Sequence, residues 1–314
     1  MNGTEELHID TAVEYTILLF YKYTPIEDPE KLRDEQRALC EKLGLKGRII
    51  TAPEGINVTV EGTTEHTEEY LKVYLSDPRF ADTHIKKSRG TGNAFPKLSV
   101  KARKEIVTLG KDYNSIKSRG KRIAPEELKQ WYETKKVGED FHVIDLRNDY
   151  EFKVGRFKGS VLPELENFRD VPKVLDELRD MRDKPLITVC TGDVRCEKAS
   201  AYLMDQGFPD VYHLDGGIVT YMEKFPAQEF EGSLYVFDKR ILIDFDPKEK
   251  HVVVGKCDKC GSSSERYVNC KNPQCNKHFL CCENCSEECD LPAQAGHAFC
   301  SDTCRELILM KSAN

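Results

Sequence analysis

The sequence predicts an α/β protein in three parts, and three observations carry that prediction. Short apolar runs alternate with amphipathic stretches through most of the chain, which is the pattern of strands and helices in succession. In the middle third, near-continuous apolar runs of the kind found in buried parallel strands recur between helices, as in a doubly wound sheet. Ten of the 13 cysteines lie between Cys257 and Cys304, setting a ligand-rich tail apart from both. At 314 residues the chain is long enough for two or three domains, each with its own core.

The first part, 1–122, reads in order as a strand (15–23, "YTILLFYKY"), an amphipathic helix (29–45), strands at 47–51 and 56–62, a second helix (63–77) and a strand at 83–88. That β-α-β-β-α-β order predicts a ferredoxin-like sandwich. Gly55 falls where a tight turn is expected to join two strands. Residues 89–122 read as a basic connector with one strand pair in "KLSVKARKEIVTLG". The second part, 123–230, opens with a helix at Pro125 whose first-turn glutamates suit the helix dipole. Strands at 141–147, 185–190 and 211–217 follow, with helices over 167–181 and 195–208 between them. The third part, 231–314, begins with two strands in "SLYVFDKRILIDF" and an apolar run, "HVVVGK", before the cysteines dominate.

Composition excludes several roles. A hydrophobic fraction of 39% with 32% charged residues is that of a globular protein, and no run approaches the ~20 apolar residues of a membrane span. No membrane association is expected. The acidic N-terminus lacks the basic and apolar regions of a secretory signal, so a cytoplasmic location is expected. Clustered cysteines in a reducing compartment point to metal and not to disulfides. Net charge is −7, yet from His84 to Arg122 twelve basic residues face only Glu105 and Asp112, a local charge of +10 against −17 elsewhere. Lys86, Lys87, Arg89, Lys97, Lys101, Arg103 and Lys104 head this tract, which suits a nucleic-acid backbone.

The stretch "TVCTGDVRCEKASAYL" places Cys190 at the end of an expected strand and Arg195 at the start of an expected helix. Ligands of such sheets bind beyond the carboxyl ends of strands. Loop N–H groups, the helix N-terminus and Arg195 would each stabilise a thiolate there. Cys190 is therefore the candidate nucleophile, against the alternative of an inert buried thiol. Cys196 reads as a small core residue or a resolving thiol. "DLRNDYEF", "GRFKGS", "CTGDVR" and "LDGGI" occur in this order within about a hundred residues, and this stretch resembles a rhodanese domain. The resemblance implies a rhodanese-like doubly wound sheet with Cys190 and Arg195 catalytic. Asp145 and Arg147 are expected to pair beneath the loop, with Glu151 bracing it.

"YKYTPIEDPE", "LGLKGRIITAPEGINVTVEG", "DPRF", "CTGDVRCEKASAYL", "GGIVTY" and "ERYVNCKNPQCN" extend the likeness to most of the chain, which resembles the tRNA uridine hydroxylase family. That resemblance implies hydroxylation of the wobble uridine of tRNA, position 34, to 5-hydroxyuridine, with molecular oxygen as co-substrate. The alternatives are a sulfurtransferase passing persulfide sulfur to an acceptor, and a non-catalytic RNA or protein adaptor. Asp193 stands where this family usually has glycine, Arg156 replaces a histidine, and Tyr221 lies near a usual tryptophan. A carboxylate close to the sulfur would disfavour thiosulfate, so poor thiosulfate sulfurtransferase activity is expected.

In the tail, Cys257 with Cys260, Cys270 with Cys275, Cys282 with Cys285 and Cys300 with Cys304 make four ligand pairs, enough for two tetrahedral structural zinc sites. A cross-braced pairing, 257/260 with 282/285 and 270/275 with 300/304, is the expectation. Cys281, Cys289, His278 and His297 are further candidates.

Overall fold

The computed structural model describes residues 13–245, 251–275, 277–287 and 297–312. The chain divides into two compact units, Met1–Ile106 and Val107–Asn314.

In the first unit, strand β1 (Tyr15–Tyr23) is followed by helix α1 (Pro29–Lys42), strands β2 (Lys46–Ala52) and β3 (Gly55–Thr63), helix α2 (Thr64–Ser76), and strands β4 (Lys86–Arg89) and β5 (Leu98–Ala102). The sheet order is β4-β1-β3-β2-β5. Its first four strands are the ferredoxin-like arrangement, and β5 joins parallel to β2 at the edge. Both helices are capped at their N-termini: Asp28 accepts from the backbone N–H groups of Glu30 and Lys31, and Thr63 accepts from His66. Leu18, Phe20, Ile49, Val58, Tyr70, Tyr74 and Phe80 belong to one core between sheet and helices. The Tyr70 hydroxyl donates to the Gln36 side chain at 2.5 Å, tying α2 to α1 inside that core.

Pro53 and Glu54 make the β2–β3 turn, so Gly55 is the first residue of β3 and not the turn itself. Its glycine is required by a close approach: with φ at +148°, a Cβ would lie 2.0 Å from the Lys22 carbonyl oxygen. Glu54 is buried and accepts the Ile106 N–H at 2.9 Å, while Asn57 donates to the Ile106 carbonyl at 3.4 Å. The segment after β5 is thus clipped to the turn. The expected strand pair between 97 and 110 is a single strand, β5, because Ile106 is buried through this clip and pairs with no strand.

The second unit opens with β6 (Lys121–Ile123) and α3 (Pro125–Thr134), then β7 (His142–Asp145), α4 (Asp149–Phe152), β8 (Gly155–Phe157), a 3-10 turn over Phe168–Val174, α5 (Leu175–Arg179), β9 (Leu186–Val189), α6 (Val194–Asp205), β10 (Val211–Leu214), α7 (Gly217–Lys224) and β11 (Phe230–Gly232). Strands β6, β10, β9 and β7 form a four-stranded sheet in that order, every pair parallel. The segment 107–122, expected from its charge to flank the first domain, folds with this unit. Tyr113 donates to Glu197 at 3.0 Å, and Arg122 pairs with both Glu197 and Asp215. The helix expected over 167–181 starts as a 3-10 turn because Pro172 lacks an N–H and Phe168, Val171 and Val174 bury at a three-residue repeat.

The tail continues with β12 (Leu234–Tyr235), β13 (Leu242–Ile243), β14 (Tyr267–Cys270), β15 (His278–Leu280), α8 (Glu283–Glu287), β16 (His297–Ala298) and α9 (Asp302–Ser312). The run at 251–256 forms no strand. Val252 and Val253 are exposed, and among the described residues the only ladder contact there is the Lys256–Ser263 bridge. Strand β14 sits between β15, antiparallel, and β16, parallel. Among the described residues, no helix is long and apolar enough to cross a membrane.

Candidate active site

Cys190 immediately follows β9 at the carboxyl end of the parallel sheet, and α6 begins four residues later. The sulfur is wholly buried. Burial raises the energy of its thiolate, but the hydrogen bond from the Cys196 thiol, the Arg195 charge and the Cys196 backbone N–H outweigh it and bring the Cys190 pKa down to about 6. Cys196 moves the other way: burial and the neighbouring Cys190 sulfur hold it well above the usual thiol range. The two shifts are complementary, with the Cys196 thiol donating to Cys190 and favouring the thiolate there.

Glu151 is the hub of the loop. Its carboxylate takes both guanidinium arms of Arg195, at 2.6 and 2.8 Å, and the Thr191 hydroxyl donates to it at 3.4 Å. It also accepts the Asn148 N–H at 2.9 Å, closing a capping box on α4. The anion demanded by Arg195 at a helix start is therefore Glu151, and burial, which would lower the Arg195 pKa, is outweighed by that carboxylate. Beneath it, Arg147 and Asp145 form a wholly buried pair, Nη2 to Oδ2 at 2.6 Å, and Arg147 donates on to the Gly155 and Glu151 carbonyls. These contacts tie β7, α4 and β8 to the sulfur loop.

Asp193 takes a left-handed backbone, φ +78°, at the N-cap of α6, but its side chain makes no cap bond. The carboxylate turns to His213 on β10, Oδ1 to Nδ1 at 2.7 Å, with both residues buried. Asp193, Glu197 and His213 lie within 4.8 Å of one another through their donor atoms. Although these are metal-ligand types, the Asp193–His213 bond and the Arg122 guanidinium on Glu197 make the group an ion-pair network.

The start of α7 closes the loop from the other side. Ile218 and Val219 donate their N–H groups to the Cys190 and Thr191 carbonyls at 3.0 and 3.1 Å. A Cβ on Gly217 would lie 2.7 Å from the Cys190 and Thr191 carbonyls and the Asp193 nitrogen, so only glycine fits. His213, Thr191 and Gly217 escaped the sequence reading. "LDGGI" marked the glycine, but no spacing signalled that His213 meets a residue twenty positions earlier.

In the tail, Cys257, Cys260, Cys282 and Cys285 bring their sulfurs within 4.8 Å of one another, and so do Cys270, Cys275, Cys300 and Cys304. Each group can hold a metal ion. His278 is spent elsewhere: its Nδ1 faces the side-chain amide oxygen of Asn269 at 2.9 Å and its ring stacks on Tyr267. Cys281 is buried, with its thiol directed to the Cys282 carbonyl at 3.6 Å. Cys289 and the His297 side chain lie outside the described residues.

The basic tract divides. Lys86 is buried with its ammonium 5.6 Å from the Tyr21 ring, and Lys87 pairs with Glu68 at 2.5 Å. Lys87 and Arg89 line a groove of about 810 Å³ beside β1 and β4. Lys97, Lys101, Arg103 and Lys104 are exposed along the β5 edge.

Three family models match in succession: a UPF0176 acylphosphatase-like domain over residues 15–106, a rhodanese-like domain over 124–224 and a rhodanese C-terminal region over 231–305. A tRNA uridine(34) hydroxylase of Cytophaga hutchinsonii is 43% identical over 293 residues, covering 93% of this chain and 90% of its own. Proteins of the same name from Bacillus velezensis and Bacillus pumilus are 44% and 45% identical, covering 88% of both chains in each case. With likeness running through both compact units and the tail, the chain belongs to the tRNA uridine(34) hydroxylase family.

Proposed function

We propose that the protein hydroxylates uridine 34 of tRNA at C5, with molecular oxygen as co-substrate and Cys190 as the reacting group. The observation that carries this reading is Cys190 at the carboxyl end of the parallel sheet, where Arg195 and the Cys196 thiol favour its thiolate, in a chain that aligns over nine-tenths of its length with a hydroxylase of that name. Addition of the Cys190 sulfur to C6 of the uracil makes C5 electron-rich enough to meet oxygen. One oxygen atom then replaces the C5 hydrogen and the other leaves as water. The balance requires two electrons and two protons from an external reductant, and loss of the sulfur from C6 restores the ring. Arg195 and Cys196 keep the sulfur anionic before attack, while Asp145, Arg147 and Glu151 fix the loop.

The three parts have separate tasks in this reading. The exposed bases of the β5 edge, with Lys87 and Arg89, hold tRNA phosphates. The rhodanese domain performs the chemistry. The two cysteine groups each hold a structural zinc, with every coordination position closed by sulfur. The cytoplasm supplies the reducing environment these thiolates need.

Nucleoside analysis of tRNA incubated with wild-type and Cys190→Ala protein, in air and without oxygen, tests the proposal. 5-Hydroxyuridine is expected only with wild-type protein in air. Wild-type yield from Cys190→Ala would sink it. Mass analysis of trapped enzyme separates the routes, since an RNA adduct supports addition at C6 whereas an extra sulfur on Cys190 supports the persulfide alternative.

A further inference from the structure

Asp193 is an unusual residue to find in a loop built around a thiolate. Its charge raises the cost of ionising Cys190, and its backbone sits in the left-handed region that glycine takes most readily. At the N-cap of α6 an aspartate would ordinarily accept from the first-turn N–H groups, yet this one makes no such bond. Its carboxylate instead meets the imidazole of His213, 2.7 Å away on a strand in the middle of the sheet.

We propose that His213 is a positioning residue for the reacting sulfur: it pins the Asp193 carboxylate to β10 and neutralises its field on Cys190, which lets an acidic residue occupy the loop. The surrounding charges agree with this. Asp193 and Glu197 of α6 face the ring, and Arg122 of β6 opposes them while also holding Glu197 and Asp215. Burial works against a charged imidazole, but Asp193 outweighs it and the His213 pKa is raised. Below that value the pair is an imidazolium against a carboxylate, with little net charge to act on the sulfur. The expected disadvantage of a carboxylate beside the sulfur is thereby cancelled locally.

The inference rests on Cys190 as the reacting sulfur, but its readout is thiol titration and not hydroxylation, so the two fail separately. Full-length wild type, His213→Gln, Asp193→Gly and the double variant are alkylated with iodoacetamide across a pH series. Modification of Cys190 is followed by peptide mass spectrometry with fragmentation to separate it from Cys196. In His213→Gln the carboxylate, no longer opposed by the imidazolium, is expected to move the Cys190 midpoint up by about one pH unit, an approximately threefold slower reaction at ~pH 6.5. Glycine accepts the left-handed backbone, so Asp193→Gly should fold and titrate within about 0.3 pH unit of wild type. The double variant should follow Asp193→Gly. A wild-type midpoint in His213→Gln would overturn the proposal, as would a double variant that keeps the full upward displacement. Should His213→Gln fail to fold, the Asp193→Gly curve still decides: a midpoint well above wild type would show that the carboxylate helps the thiolate, contrary to the proposal.

Discussion

Glu151 has no exposed side-chain surface, and it satisfies Arg195, Thr191 and the Asn148 N–H together. Glu151→Gln removes the charge but keeps the shape, leaving a buried guanidinium without its counter-ion. We expect a loss of about 3–5 kcal/mol in unfolding free energy, measured by urea denaturation. Cys196→Ala acts differently, because it deletes the thiol donor to Cys190 and little volume. Cys190 is protonated below its pKa of about 6, so thiol reactivity falls as pH drops through that value. Without the Cys196 donor this limb should move up by about one pH unit, which alkylation rates against pH would show. An unmoved limb would leave Arg195 as the main source of thiolate stabilisation. Much of this site was legible: Cys190, Arg195, Asp145, Arg147 and Glu151 came from ordered motifs, and the structure joins them in one network. What escaped was the orientation of side chains. Asp193 was expected to place a carboxylate near the sulfur, and its charge does act on Cys190, but it is held by a histidine distant in sequence that only the sheet brings to it.

At the scale of elements, β1 was readable to its last residue because it lies between two strands and carries apolar side chains at close spacing. The β2–β3 hairpin and both helices of the first unit were equally plain. Apolar runs misled where no ladder formed. "HVVVGK" carries three successive valines, two of them exposed, and has no partner strand among the described residues, while Ile106 is buried by two polar clips. Pro172 bent a helical pattern into a three-residue repeat that still buries every third side chain. On β5 the exposed bases give an element-level test. Reversing Lys101, Arg103 and Lys104 to glutamate should weaken tRNA binding, with a shallower dependence on salt by about 0.7–0.9 per lost phosphate contact. Filter binding across a salt series measures this, and an unchanged slope would remove β5 from the RNA surface.

For the whole molecule, the two cysteine groups bring together four separated pairs of the tail. The eight thiolates of two sites would repel one another strongly without a cation, and several are pushed to opposite extremes: Cys257 is drawn down to about 6 by backbone N–H and thiol donors despite its burial, while burial and the neighbouring thiols lift Cys300 to about 12. A strong chelator should therefore unfold the tail while sparing the parallel sheet. Circular dichroism and hydrogen exchange would show lost protection in β14 and β15 with β7, β9 and β10 unchanged. Less than one zinc per chain in freshly purified protein would count heavily against both sites.

The clip formed by Glu54 and Asn57 bears on how the molecule can be dissected. Ile106, the last residue of the first unit, has its N–H and carbonyl held there, and the second unit begins at Val107. A fragment ending at 122, where charge alone would place the cut, strips β6 from β10 and appends it as an orphan strand. One ending at 102 forfeits both tethers. Severing after Ile106 keeps both tethers with the first unit and β6 with the second, which makes that peptide bond the natural seam for recombination of the two parts with other chains.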